Sequence, residues 1–204
     1  MNIFSKLFGT ICLAVILCSS VQANLILNGS FEDTGTVSPS SATWQIYASI
    51  PNWDNTRGIE IWNDGFIVPA YHGNNVLELN AHSSDISSAY SIFQFFSTVV
   101  GQQYELTFAG RKRQSNSDER FSVSVGDLAV SVINQAHGNW NEYSYTFTAA
   151  GTSSQLTFTS LDNRSDTRGN LFDEVSVKSI PEPGSLLLIL LGLAGLVVTR
   201  KQYF

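Results

Sequence analysis

Residues 103–110 read "QYELTFAG", and their alternation decides the fold of the chain. Tyr104, Leu106 and Phe108 occupy every second position, with Glu105 and Thr107 between them. Successive side chains of an extended backbone point to opposite faces, so this pattern gives one apolar face and one polar face: a half-buried strand. The same period recurs in 120–127 "RFSVSVGD", 141–149 "NEYSYTFTA" and 154–161 "SQLTFTSL". Five more segments of the same kind are 24–31 "NLILNGSF", 59–63 "IEIWN", 74–80 "NNVLELN", 90–100 "YSIFQFFSTVV" and 171–179 "LFDEVSVKS". Gly, Asn, Asp and Ser separate them, and no useful helical period appears from 24 to 179. The expectation is all-β: nine or so antiparallel strands in a two-sheet sandwich. In "LFDEVSV" the apolar Phe172 and Val175 stand three apart, which predicts a bulge at Asp173-Glu174 that turns a carboxylate sideways.

The two ends have a different grammar. Lys6, the apolar stretch 11–17 and Val21-Gln22-Ala23 have the order of a secretory signal peptide, expected over residues 1–23. Cys12 and Cys18 leave with it, so the mature domain has neither a disulfide framework nor a thiolate metal site. At the other end, residues 186–198 carry no charge. At about 1.5 Å per residue a helix there spans roughly 20 Å, short of the ~30 Å hydrocarbon core. Prolines precede it, and Arg200 and Lys201 follow, placing the tip in the cytoplasm and the domain outside. A C-terminal hydrophobic helix over 185–199 is therefore expected as a marginal transmembrane segment.

Residues 24–179 carry 8 Lys and Arg against 16 Asp and Glu, a net of −8. That balance disfavours nucleic acid and anionic membrane as partners. It is compatible with neutral sugars or divalent cations.

Two resemblances follow. Pro181-Glu182-Pro183, Gly184-Ser185, the Leu/Gly/Ala-rich span and the basic tip closely resemble the PEP-CTERM sorting signal over 180–204. That resemblance implies a Gram-negative bacterium making exopolysaccharide, processing by an exosortase, and interim anchoring in the membrane before an envelope or extracellular fate. Only two basic residues stand around position 200, a thin cluster for such a signal. "NLILNGSFE" and "LFDEVSV" resemble the first and last strands of the galactose-binding-like jelly roll, a fold shared by many carbohydrate-binding modules. It implies that the domain over 24–179 is a jelly-roll β-sandwich, and that Glu32 and Asp173, at the ends of those strands, are candidate ligands of a structural Ca²⁺. Carboxylates with backbone carbonyls suit that hard cation. The alternative is two exposed acids at strand ends.

A second constellation comes from the residues themselves. Glu60 and Trp62 share a face opposite Ile59 and Ile61; Glu78 and Asn80 share one opposite Leu77 and Leu79. Arg111 ends the strand 105–111. Together Glu60, Trp62, Glu78, Asn80 and Arg111 make a candidate sugar site, an indole for the ring's C–H face beside planar groups for its hydroxyls. Trp53, Tyr71 and Trp140 are candidate aromatic contacts from loops. The alternative is a packed Trp62, with Glu60 and Glu78 paired to Arg57 or Arg111.

Glu60 and Glu78 could also serve as the acid/base pair of a glycosidase, although nearly any acidic domain offers such a pair. The chain has no Gly-x-Ser-x-Gly and no His-x-x-x-His, and His72, His82 and His137 are far apart. The expected function is an exported, non-enzymatic envelope or matrix protein that binds polysaccharide. A structural or adhesin-type protein without sugar binding is the alternative, and a hydrolase a weaker one.

Overall fold

The structure, a computed structural model, describes residues 22–35, 43–80, 89–115, 119–132, 137–161 and 168–181. Eleven strands are β1 (Trp44–Tyr47), β2 (Asp54–Asn55), β3 (Ile59–Asn63), β4 (Asn75–Glu78), β5 (Ser91–Ser97), β6 (Gln103–Lys112), β7 (Phe121–Val125), β8 (Leu128–Val132), β9 (Asn141–Thr148), β10 (Ser153–Ser160) and β11 (Asn170–Ser179). They form a jelly-roll sandwich of a six-stranded sheet, β1-β3-β4-β11-β6-β9, and a five-stranded one, β2-β5-β10-β7-β8. The strand pairings are antiparallel.

An aromatic cluster joins the two sheets. Phe108 of β6 and Phe172 of β11 project from one sheet; Phe121 of β7 and Phe158 of β10 project from the other. The ring centroids of Phe121 and Phe172 are 4.8 Å apart, of Phe158 and Phe172 4.9 Å, and of Phe108 and Phe158 5.1 Å. All four are buried. Large rings at offset or edge-on geometry bury much area and lock orientation. The alternation that predicts the strands is what delivers these rings to one interior.

Strand β11 contains the expected bulge. Its register with β6 shifts between Asp173 and Ser176, and Glu174 sits at φ 50. The slip lets Phe172 and Val175 both reach the interior.

The first expected strand is absent: 24–31 is a bend-rich segment with Asn28 at φ 52 and Phe31 at φ 59. Left-handed backbone at Asn28 and Phe31 interrupts a regular ladder. Two backbone bonds to β11 remain, Leu25 N–H to the Val177 carbonyl at 2.8 Å and Val175 N–H to the Gly29 carbonyl at 2.9 Å, and side-chain amides add to them. Asn24 Oδ1 accepts from the N–H groups of Ile26 and Val177, and the Gln94 amide bonds both the N–H and the C=O of Leu27. Conversely, β1, β2 and β8 have no counterpart among the strands expected from the sequence. Residues 126–127 read as the end of a strand, but they form a two-residue turn that pairs Val125 with Leu128, with Gly126 at φ 57. Trp53, expected in a loop contact, is instead core: it is 1% exposed and its Nε1 donates to the Asn28 carbonyl.

Phe172→Ala is expected to lower the unfolding free energy by about 3–5 kcal/mol in urea titrations. A loss below about 1 kcal/mol would show that the ring cluster is not what joins the sheets.

Candidate functional site

The face of the six-stranded sheet turned away from the main core carries most of the strand-borne charge. Register aligns Glu60 with Glu78, Glu78 with Leu171, and Leu171 with Arg111, a row running across β3, β4, β11 and β6. The neighbouring row aligns Trp44, Trp62 and Val76. The sequence-derived site residues are thus brought together. The strip they form is nevertheless closed: Glu60 and Glu78 are 0% exposed, Trp62 4% and Arg111 7%.

A second hydrophobic cluster closes it. Trp62, Val68, Val76 and Leu171 are buried together, with Trp44, Ile67, Ala70 and Trp140 packed around them. Ile67, Val68 and Ala70 come from the connection 64–74, which folds back over β3 and β4. Asp64 shapes that connection, its Oδ1 accepting from the Ala70 N–H at 2.7 Å, and the Trp140 Nε1 ties it to β9 through the Pro69 carbonyl. Sequence periodicity could not show this lid, because an irregular loop has no period. The apolar run in "FIVPA" (66–70) was the available signal.

Beneath the lid, Glu78 is a hub. Its carboxylate accepts from Trp62 Nε1 at 2.7 Å, from Arg113 Nη1 at 2.9 and 3.0 Å, and from the Gly169 N–H at 2.7 Å. The Arg113 guanidinium also lies 4.7 Å from the Trp62 ring centroid. Burial pushes the Glu78 carboxyl up to about 7, against the opposing pull of Arg113, the Gly169 N–H and Trp62. Asn80, half-buried, donates to the Arg168 carbonyl and so holds the chain leading into β11. Arg111 rests 5.7 Å from the Trp140 ring centroid. These residues hold the face together; they do not present it to a ligand.

Glu32 and Asp173 act on the same connection. Glu32 Oε1 accepts from the N–H groups of Asn74 and Asn75 at 2.8 and 2.9 Å. Asp173 Oδ2 accepts from Tyr71 and His72, both at 2.9 Å, and Oδ1 from Glu174 at 2.7 Å. Gly73, at φ 74, passes against the Glu32 carboxylate, where a Cβ would collide with it. Calcium requires a shell of oxygen ligands, whereas five backbone N–H dipoles point at these carboxylates. Backbone donors take these carboxylates, and among the described residues no group of three or more His, Cys, Asp and Glu is placed to hold a metal. Burial is the main cause that pushes Asp173 up to about 7, with the His72, Glu174 and Tyr71 N–H groups opposing.

What the pinned connection does present is Tyr71. The residue is 40% exposed, its ring meets Trp140 edge-on at 6.0 Å, and its hydroxyl donates to Glu142. That bond raises the Tyr71 pKa above its usual 10.0. Beyond Tyr71 the sheet is uncovered. A cleft of about 370 Å³ opens there, floored by Thr107, Ala109 and Ser144 and walled by Tyr71, Glu142 and Glu174. His72 Nδ1 lies 3.3 Å from Glu174 at its rim. Of the site residues singled out from sequence, Tyr71 alone lines the cleft. Thr107, Glu142, Ser144 and Glu174 escape a sequence reading because outward polar residues on a strand look like ordinary solvated surface.

The six-stranded sheet thus has one lidded and one open half-face. The chain belongs to the family described as "Protein of unknown function (DUF642)", whose model matches residues 24–178. The PEP-CTERM protein-sorting motif matches residues 179–201 and implies export with transient membrane anchoring. Pro181 is described and exposed. Glu182, Pro183 and the expected span 185–199 lie outside the described residues, as does nearly all of the expected signal peptide. Among the described residues no helix is long and apolar enough to cross a membrane.

The chain is 26% identical over 171 residues to Halomucin of Haloquadratum walsbyi, a match covering 81% of this chain but only 2% of that protein. Among solved structures, an apo-form cyclase from Fischerella sp. superposes with a TM-score of 0.56 at 17% identity, covering 81% of this chain and 100% of the other, a likeness of fold. TmCBM61 in complex with beta-1,4-galactotriose gives a TM-score of 0.48 at 16% identity, covering 78% and 99%.

Three outcomes test this site. Both raised carboxyls bind their protons more tightly folded than unfolded, so the stability they confer is present at low pH. It is lost as pH rises from their ordinary values, 4.5 and 3.8, to about 7. The melting temperature should fall across that window, and Glu78→Gln should flatten part of the slope; a rise with pH would contradict the burial of these groups. Trp62→Ala should destabilise by about 3–5 kcal/mol, as loss of a buried ring does, and wild-type stability would show that the lid is not packed. EDTA and added calcium should each leave the melting temperature unchanged; a calcium-dependent rise would restore a cation to Glu32 and Asp173.

Proposed function

We infer that the domain binds polysaccharide outside the cell, without catalysis, through the open half of the six-stranded sheet. One observation carries this reading: a half-exposed tyrosine is fixed at the edge of a cleft whose floor and walls are hydroxyls and carboxylates. A sugar ring has an apolar C–H face and equatorial hydroxyls, so it wants a flat aromatic and a set of hydrogen-bonding groups around it. Tyr71 supplies the first; Thr107, Ser144, Glu142 and Glu174 supply the second.

The sorting motif supports the setting, since it directs the chain to the cell exterior. A polysaccharide-rich envelope or matrix of a Gram-negative cell is the surrounding such a cleft suits. The absence of catalysis rests on the state of the cleft's two carboxylates. Glu142 takes the Tyr71 hydroxyl, and Glu174 lies beside His72. Each holds a neighbour through one oxygen and can still accept a sugar hydroxyl, a positioning and binding role.

Affinity electrophoresis in galactan, xylan, β-glucan and the exopolysaccharide of the producing cells tests this. Retardation in at least one, weakened about tenfold by Tyr71→Ala (about 1.4 kcal/mol) with the melting temperature unchanged, is expected. No retardation in any would leave the adhesin-type reading, and release of reducing ends would establish a hydrolase.

A further inference from the structure

The end of the sandwich from which the sorting tail departs is built differently from the rest of the surface. Ile180 is the last residue in the sheet's hydrogen-bond system: its N–H donates to the Gln103 carbonyl at 2.9 Å, and its carbonyl accepts from the Gln102 side chain. Shortly before Gln102, in the turn joining β5 to β6, stand Val99 and Val100, 65% and 61% exposed. Their surroundings keep them out. The turn is laced to the neighbouring β9–β10 turn by Thr98 N–H to the Thr152 carbonyl at 3.0 Å and by Gly101 N–H to the Ala149 carbonyl at 2.8 Å. The Thr98 hydroxyl adds a bond to the Gly151 carbonyl at 2.9 Å. Gly101, at φ 78, makes the reversal that lifts the two valines off the sheet.

Residues 97–103 and 149–153, the two turns with their flanks, contain no charged side chain. The charges bordering them are Glu105 and Lys178, paired across β6 and β11, and Asp127, whose Oδ1 is taken by the Thr148 N–H at 2.6 Å. In a domain with a net of −8 the tip itself is apolar and carries no charge. The connection between β6 and β7, at the opposite end of β6, carries Arg113, Glu119 and Arg120 instead.

The length of chain beyond this end says what covers it. Pro181 leaves the sandwich here, and the run of large apolar residues in the tail begins at Leu186. Five residues span at most about 17 Å. While the tail is in the bilayer, Pro181 is therefore held within that reach of the lipid surface, and the turn that carries Val99 and Val100 adjoins it through the bond between Gln102 and Ile180. Tethering at such short range makes even a small apolar contact effective, because the effective concentration is high. We propose that Val99 and Val100 form a membrane-docking tip that seats this end of the domain in the lipid interface during the anchored stage. Docking there directs the β6–β7 end away from the membrane and leaves the Tyr71 cleft, on the side of the sandwich, open to the exterior. Cutting the tail removes the tether, and the valine tip alone is too small to hold the domain, so docking ends with processing. Such docking presupposes that the tail serves as an interim anchor.

The test uses the full chain, expressed with its leader and tail, purified from membranes and placed in vesicles of phosphatidylethanolamine and phosphatidylglycerol. With Cys12→Ser and Cys18→Ser in place, single nitroxides are attached at Val100→Cys, at Ser115→Cys in the β6–β7 connection, and at Leu190→Cys in the tail. Collision with lipid-soluble oxygen relative to a water-soluble nickel chelate reads depth. The expected result is a position-190 label in lipid, and a ratio at position 100 several times that at position 115. Adding Val99→Asp to the chain labelled at position 100 should return that ratio to the position-115 level with the melting temperature unchanged. Equal, water-like ratios at 100 and 115 with position 190 in lipid would overturn the docking tip and leave the anchor intact. A water-like ratio at position 190 would remove the anchor, and the proposal with it.

Discussion

A single buried carboxylate organises the outer face of the six-stranded sheet. The bulge in β11 interrupts its register with β6, and Asp173 uses both of its oxygens to take the N–H groups of Tyr71, His72 and Glu174. Backbone donors in a connection between strands must find acceptors or water. Here an acid on a different strand supplies them, fixing the connection 64–74 to the sheet. Glu32 repeats the device one turn further on, at Asn74 and Asn75. The burial that raises the Asp173 pKa is the cost of that arrangement.

From this constraint the two halves of the face acquire different roles. On the β3–β4 side the pinned connection lays Ile67, Val68 and Ala70 against Trp62, Val76 and Leu171, and a second core forms outside the first. The polar groups trapped there are organised around Glu78, whose donors come from an indole, a guanidinium and a backbone amide. On the β6–β9 side the connection lays nothing down, so the sheet surface stays open beyond Tyr71. The lid ends where the cleft begins, and Tyr71 is the boundary.

Fold and site were legible in the sequence to different degrees. Period-two alternation located β3, β4, β5, β6, β7, β9, β10 and β11, because a half-buried strand must alternate. It also located the bulge, since Phe172 and Val175 can share an interior only if the register slips. It misread residues 24–31, where Asn28 and Phe31 take left-handed backbone and the amides of Asn24 and Gln94 supplement two backbone bonds to β11. It likewise passed over β8, since Gly126-Asp127 ends a strand and turns a hairpin with the same residues. The pairing of Glu60 and Trp62 with Glu78 on one face was correctly inferred from parity. Their burial was not, because parity says which face a residue takes and not what later covers that face. The cleft residues Thr107, Glu142 and Ser144 had no distinguishing pattern at all. They acquire meaning only from Tyr71, which a loop brings from elsewhere in the chain.

In the proposed binding mode, recognition falls to a side chain whose position is set by another strand's carboxylate. The most direct measurement is a double-mutant cycle between Asp173→Ala and Tyr71→Ala on polysaccharide affinity, taken below the melting temperature of every variant. An alanine leaves the N–H groups of Tyr71 and His72 without their acceptor and so releases Tyr71. The prediction is that either change alone weakens binding to a similar extent and that the double variant is no weaker than the single ones. Losses that simply add, or an Asp173→Ala protein with full affinity, would contradict it.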